Sequence, residues 1–148
     1  MLMFSPDSFL MTIALPKLYF ENAAGRVFEH PDGYVVFQYL PGERRFPDLQ
    51  ALLAQTRDLL DRQCWHRLLG DQRHMAPFTE EESTWIVNYW LAEARQGPKG
   101  LFGALLLAPD LFASLPLPQV THEARAGALT YRLFDTEEKA ARWLEHVG

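Results

Sequence analysis

Asp71, Arg73 and His74 bring a carboxylate, a guanidinium and an imidazole together within four residues. Such a triplet can move protons as an acid–base pair, or grip an anion through the forked donors of the arginine. The competing reading is that Asp71 and Arg73 fix their own loop through hydrogen bonds while His74 stays solvated. Shortly after come Trp85, Tyr89 and Trp90. Trp85 and Tyr89 share a helical face at i, i+4, with Trp90 beside them. Most of this aromatic area belongs in a core. Three large rings in six residues nonetheless exceed the ~100° stripe that a surface helix buries. One ring is therefore expected in a groove or at a dimer interface.

Other chemistries find less support. Cys64, His66 and His74 lack the C-x-x-C or H-x-x-x-H spacing of a metal site, and a buried Cys64 acting as a small apolar residue is the simpler expectation. No metal and no cofactor are expected. Ser83 and Ser114 lie outside any G-x-S-x-G elbow, and the chain has neither G-x-G-x-x-G nor G-x-x-x-x-G-K-[ST]. The run Glu80-Glu81-Glu82 suits the positive end of a helix dipole. A catalytic role would rest on Asp71, Arg73 and His74 alone, and the expectation is that the chain is not an enzyme.

These residues need elements to hold them. Leu18-Tyr19-Phe20, Arg26-Val27-Phe28-Glu29 and Tyr34 to Leu40 read as three strands separated by turns at Asn22/Gly25 and Pro31-Asp32-Gly33. After Pro41-Gly42 the pattern changes. Leu49, Leu52, Leu53, Thr56, Leu59 and Leu60 make one helical stripe behind Pro47. Trp65 to Gly70 reads as a strand ending at Asp71. Thr79 and Glu82 form a capping box that opens the aromatic helix, which is expected to stop near Gly97-Pro98. Leu101 to Ala108 is continuously apolar, as a strand covered on both faces should be. Asp110 to Ala126 reads as broken helix around Pro116 and Pro118. Leu129 to Leu133 alternates as a strand, and Asp135 with Glu138 can cap a last helix facing inward through Ala140, Trp143, Leu144 and Val147. The expected class is therefore α/β: an antiparallel N-terminal meander, then alternating strands and helices in a mixed sheet, with helices mainly on one face. In such sheets ligands bind beyond the carboxyl ends of the parallel strands, which singles out the Asp71–His74 loop.

Composition bounds the rest. With 148 residues, 48% of them apolar and 22% charged, the chain suits one domain with a substantial core. The net charge is −5, and Arg44-Arg45 is the only adjacent basic pair. Both facts argue against nucleic acid as a partner. One cysteine excludes an intrachain disulfide and fits a reducing cytoplasm. The apolar stretch Phe9 to Leu15 lacks a preceding Lys or Arg, follows Asp7 and ends at Pro16, so it does not read as a signal peptide. It is also short of the ~20 residues that span a membrane. Residues 1–16 are expected to be a loosely held arm, with Met1, Met3 and Met11 as candidate starts, and 17–148 the domain.

Several segments resemble the STAS-like superfamily, known best from bacterial anti-sigma-factor antagonists, and in particular a group of small bacterial STAS-like proteins. They are Leu68-Leu69-Gly70-Asp71-Gln72-Arg73, the Trp-bearing helix, Ala104 to Ala108 with Pro109-Asp110, and Phe134-Asp135-Thr136-Glu137-Glu138-Lys139-Ala140-Ala141-Arg142-Trp143-Leu144. The likeness covers about residues 17–147. It implies a role in protein association or small-ligand sensing rather than catalysis. Antagonists of this kind carry a phosphorylatable serine after the aspartate that matches Asp71. Here Gln72 and Arg73 occupy that place, so the phospho-switch does not transfer. The leading expectation is a non-catalytic interaction or regulatory module whose partner is another protein or a second copy, using Asp71 to Trp90. The alternative is a binder of a small apolar or anionic ligand between the Arg73 loop and the aromatic helix.

Overall fold

A computed structural model describes residues 15–93 and 100–148. Most of the N-terminal arm and the expected helix stop at Gly97-Pro98 lie outside the described residues. β1 (Lys17–Glu21), β2 (Gly25–His30) and β3 (Tyr34–Tyr39) form the antiparallel meander. α1 (Phe46–Gln63) leads to β4 (Arg67–Asp71), which pairs parallel to β3 with Val35 opposite Leu68. Helix α2 runs through Glu80–Trp85, a π-helical turn Ile86–Trp90 and Leu91–Glu93. β5 (Leu101–Leu106) is parallel to β4, and β7 (Leu129–Phe134) is parallel to β5. Between β5 and β7 lie two short helices, α3 (Pro109–Ser114) and α4 (Leu117–Thr121). Helix α5 (Glu137–His146) closes the described chain.

The expected broken helix through Ala126 is corrected at its end. Ala124–Ala126 is a seventh strand, β6, antiparallel to β7. Gly127, with φ of 60°, opens the two-residue turn between them, a backbone state that costs a glycine little. The strand order is β1-β2-β3-β4-β5-β7-β6.

Strand alternation assigns side chains to two faces. Val35, Phe37, Tyr39 and Leu68 point to the first face, where α1 buries Leu49, Leu52, Leu53, Thr56, Leu59 and Leu60 against them. Thr56 stays satisfied there by donating to the Leu52 carbonyl at 3.0 Å. Tyr34, Leu69, Ala104, Leu106 and Phe134 point to the second face, where Ala140 and Leu144 of α5 pack on them. The first face carries the two longest helical runs, so helix is distributed unequally between the faces, with its larger share on the first.

Two local expectations fail for identifiable reasons. Thr136, not Asp135, caps α5, accepting from Lys139 N at 3.3 Å. Asp135 is taken up by the Lys139 ammonium at 3.4 Å, and Glu138 by Arg142 at 2.7 Å. Cys64 is exposed rather than buried. It ends α1 in the left-handed conformation, φ 55°, its N–H returning to Asp61 O at 3.2 Å. That places it outside β4, which begins at Arg67 and leaves His66 in the connection as well. No helix among the described residues is long and apolar enough to cross a membrane.

Candidate functional site

The candidate residues divide between the two faces. Asp71 ends β4 on the second face, alongside Leu69, and α2 lies over the first. One strand therefore separates groups that are close in the chain, and the expected site between Arg73 and the aromatic helix does not form. What the loop contributes to α2's side is Gln72, whose backbone N–H is held by Leu106 O at 2.8 Å.

Under α2 lies a cavity of about 340 Å³, lined by Ile86, Val87 and Trp90 of the helix and by Phe37, Leu105 and Leu133 of the sheet. Its lining is almost wholly apolar, with Gln72 and Ser83 supplying polar groups. Glycines help shape the floor. A Cβ at Gly70 would come within 2.8 Å of the Phe37 ring and 3.0 Å of Leu105, and one at Gly103 within 2.9 Å of Leu129. Without those carbons the neighbouring side chains lie across the central strands.

The helix is locked at both ends. At its start, Thr79 N–H donates to Glu82 Oε1 at 2.8 Å and Glu82 N–H to Thr79 Oγ1 at 3.1 Å, the reciprocal box expected from the sequence. Arg44 then grips the same carboxylate with two donors, Nε to Oε2 at 3.0 Å and Nη2 to Oε1 at 2.9 Å. It also donates to the Ala76 and Pro77 carbonyls. Its guanidinium stacks on Tyr39 and Phe78, 5.8 and 5.3 Å from the ring centroids. Both side chains of the pair are almost fully buried, at 3% and 4% exposure. The Arg44 hydrogen bonds hold the Glu82 carboxyl below its ordinary range, against the opposing effect of burial, with help from Thr79.

At the far end, Trp90 is buried and its indole N–H donates to Leu53 O at 2.7 Å. The Arg57 guanidinium lies 5.0 Å over the indole ring and donates to the Trp90 carbonyl. Between the two anchors the helix widens: Leu91 N–H returns to Ile86 O, an i→i+5 bond. π turns of this kind recur at functional sites. This one puts Ile86, Val87 and Trp90 into the cavity wall. The other two aromatics are elsewhere. Trp85 is half-buried, edge-on to Phe46 with centroids 6.1 Å apart. Tyr89 is 60% exposed.

On the second face, the buried Asp71 carboxylate accepts from Arg73 N at 3.2 Å, Nε at 3.0 Å and Nη2 at 2.9 Å, and from Gln38 Nε2 at 3.3 Å. Glu137 approaches Arg73 at 3.7 Å. Burial works to raise the Asp71 carboxyl, but the Arg73 bonds outweigh it and the net shift is downward. Asp71 is thus a fixed, paired anion, a poor proton donor or shuttle at neutral pH. His74 is exposed. A groove of about 370 Å³ runs beside this corner past Phe28, Tyr34, Val36 and Glu137. In it His30 stacks on Tyr34 with centroids 4.2 Å apart, and burial pushes the Tyr34 hydroxyl up to about 12.

Reasoning from sequence missed Arg44, whose partner lies 38 positions away, and with it the device that fixes the start of α2. Among the described residues no three metal-ligating side chains converge, and His66 is instead edge-on to Phe102. Compared with family models, curated proteins and solved structures, the chain matches none.

Proposed function

We propose that this chain is a non-catalytic binding module that holds a small, mainly apolar molecule between α2 and the first face of the sheet. The single observation that carries the reading is the cavity of about 340 Å³, within the size range of small-molecule pockets, under a helix pinned at both ends. Locked walls favour a pre-formed site, because little ordering is left to oppose binding. Gln72 and Ser83 suit one polar group on an otherwise apolar ligand. The paired state of Asp71 supports the non-catalytic part of the reading, and the STAS-like resemblance fits ligand sensing. A cytoplasmic setting suits a chain whose one cysteine, Cys64, is exposed.

A second role has its own support. Tyr89 on α2 is 60% exposed, so the outer side of the helix that walls the cavity offers an aromatic ring to another protein or a second copy. Ligand occupancy under the helix and association over it would then share one element.

A neutral probe tests the main reading. A chain of about ten carbons occupies on the order of 300 Å³ at ~30 Å³ per water-sized group, so decanol is a suitable ligand. Calorimetric titration should give saturable binding. Leu133→Trp, which fills the cavity, should weaken it at least about tenfold, a loss near 1.4 kcal/mol, without lowering the melting temperature. Equal binding by the filled variant would remove the cavity from the account.

A further inference from the structure

On the second face, between α3, α4 and α5, lies another cavity of about 390 Å³. Its walls include Phe112, Val120, Phe134 and Trp143, and Arg132 projects into it from β7. The Arg132 guanidinium lies 5.3 Å from the Phe134 ring centroid. Its Nε is the side-chain nitrogen that, among the described residues, is sealed from solvent with no hydrogen-bond partner.

The neighbouring cations are already matched. Lys139 pairs with Asp135 at 3.4 Å and Arg142 with Glu138 at 2.7 Å, while the Trp143 indole N–H donates to Glu123 at 3.3 Å. Of the arginine and lysine side chains at this cavity, Arg132 is the one with neither hydrogen bond nor ion pair among the described residues. A part-buried arginine without an anion is costly. Set beside an aromatic ring, its planar fork keeps terminal nitrogens that can donate to an anion entering the cavity. The lining combines that positive charge with the apolar side chains of Phe112, Val120, Phe134 and Trp143, beside His146 and an Asp135 carboxylate that Lys139 neutralises.

We infer that this cavity binds a small aromatic carboxylate, its carboxylate paired to Arg132 and its ring held among Phe112, Phe134 and Trp143. A forked guanidinium recognises a planar carboxylate through two parallel bonds, and edge or offset contacts with the surrounding rings favour a flat body over a chain. The site lies on the opposite side of the sheet from the decanol cavity, and Leu133 of β7 is the residue that lines both.

The test is a titration of nitrogen-labelled protein with naphthoate, following the Arg132 Nε–H resonance. A saturable shift is expected. Naphthamide, of the same shape without the charge, should bind at least about tenfold more weakly. Arg132→Gln should reduce naphthoate affinity by a similar factor and keep or raise the melting temperature, since it removes an unpaired buried charge. Arg132→Lys should retain part of the affinity. An unmoved Arg132 signal, or equal affinity for acid and amide, would overturn the assignment. Inorganic phosphate shifting that signal as strongly as naphthoate would overturn the aromatic part, leaving a site for bare oxyanions.

Discussion

The two faces of this sheet treat polar side chains in opposite ways. On the first face, ionic and indole hydrogen bonds sit at the ends of α2 and leave an apolar void between them. On the second, the ion pair sits at the end of the central strand itself, where Asp71 and Arg73 satisfy each other beside Glu137. Polar groups on the first face thus act as clamps around a space, and at the β4 end of the second they pair with each other beside a groove. The difference shows that a conspicuous cluster of acid, base and imidazole can be architecture, while an apolar cavity is marked by residues of little chemical character.

Trp90 is where breaking the first face should cost most. Its side chain fills the α1–α2 interface, carries the bond to Leu53 and is capped by Arg57. Trp90→Ala is expected to destabilise the fold by about 3–5 kcal/mol, read from urea unfolding, and to abolish decanol binding where the variant remains folded. A loss below about 1 kcal/mol would mean that α2 is not anchored at this end, and the clamp description of the first face would fail.

Acid sharpens the contrast between the two ion pairs. Glu82 and Asp71 both titrate below their ordinary range when folded. The stability each contributes is therefore fully present above the unfolded carboxylate value of about 4 and is lost as pH falls through the folded one. The part of the unfolding free energy that these two carboxylates supply should be level near neutrality and decline below about pH 4.5. The Arg44–Glu82 pair is almost wholly buried, whereas the Arg73 side chain is 32% exposed. Glu82→Gln is thus expected to cost about 3 kcal/mol near neutral pH, and Asp71→Asn about 1–2 kcal/mol. Both penalties should shrink in acid, because the wild-type carboxylates are then protonated as well. Asp71→Asn should leave decanol affinity unchanged. A larger penalty at Asp71 than at Glu82 would reverse the ranking of the two faces.

What could be read in advance followed the range of the interaction. The leucine stripe of α1 and the Thr79/Glu82 box are set by spacings within one or two turns, and both were legible. The meander and the apolar β5 were legible through alternation and continuity. Arg44 was not, because nothing local to Arg44 indicates that Glu82 will receive it. The separation of Asp71 from the aromatic helix left a trace: Leu68 and Asp71 are an odd number of residues apart on one strand, which puts them on opposite faces. Using that trace required knowing that α2 covers the Leu68 side, a tertiary fact. β6 escaped because three residues show almost no periodicity, although Gly127 marked the turn. Cys64 was expected inside on composition alone, yet its place was set by the need to end α1 in a left-handed turn. Arg132 looked like the polar half of an ordinary alternating strand, and only packing reveals that it lacks a partner.

Tyr89 gives the smallest expected effect and the finest cut, since it adjoins Trp90 in the chain. Its ring is largely in solvent, so Tyr89→Ala should change stability by no more than about 0.5 kcal/mol and decanol affinity by less than about twofold. If the outer row of α2 serves association, the same substitution should weaken any concentration-dependent assembly seen by sedimentation. The two adjacent aromatics would then separate by measurement as they do in space, one holding the wall of a cavity and the other facing a partner. A Tyr89→Ala variant that unfolds easily or loses decanol would instead mean that the π turn transmits strain from its outer row to its inner one, and that α2 has one function, the cavity's, rather than two.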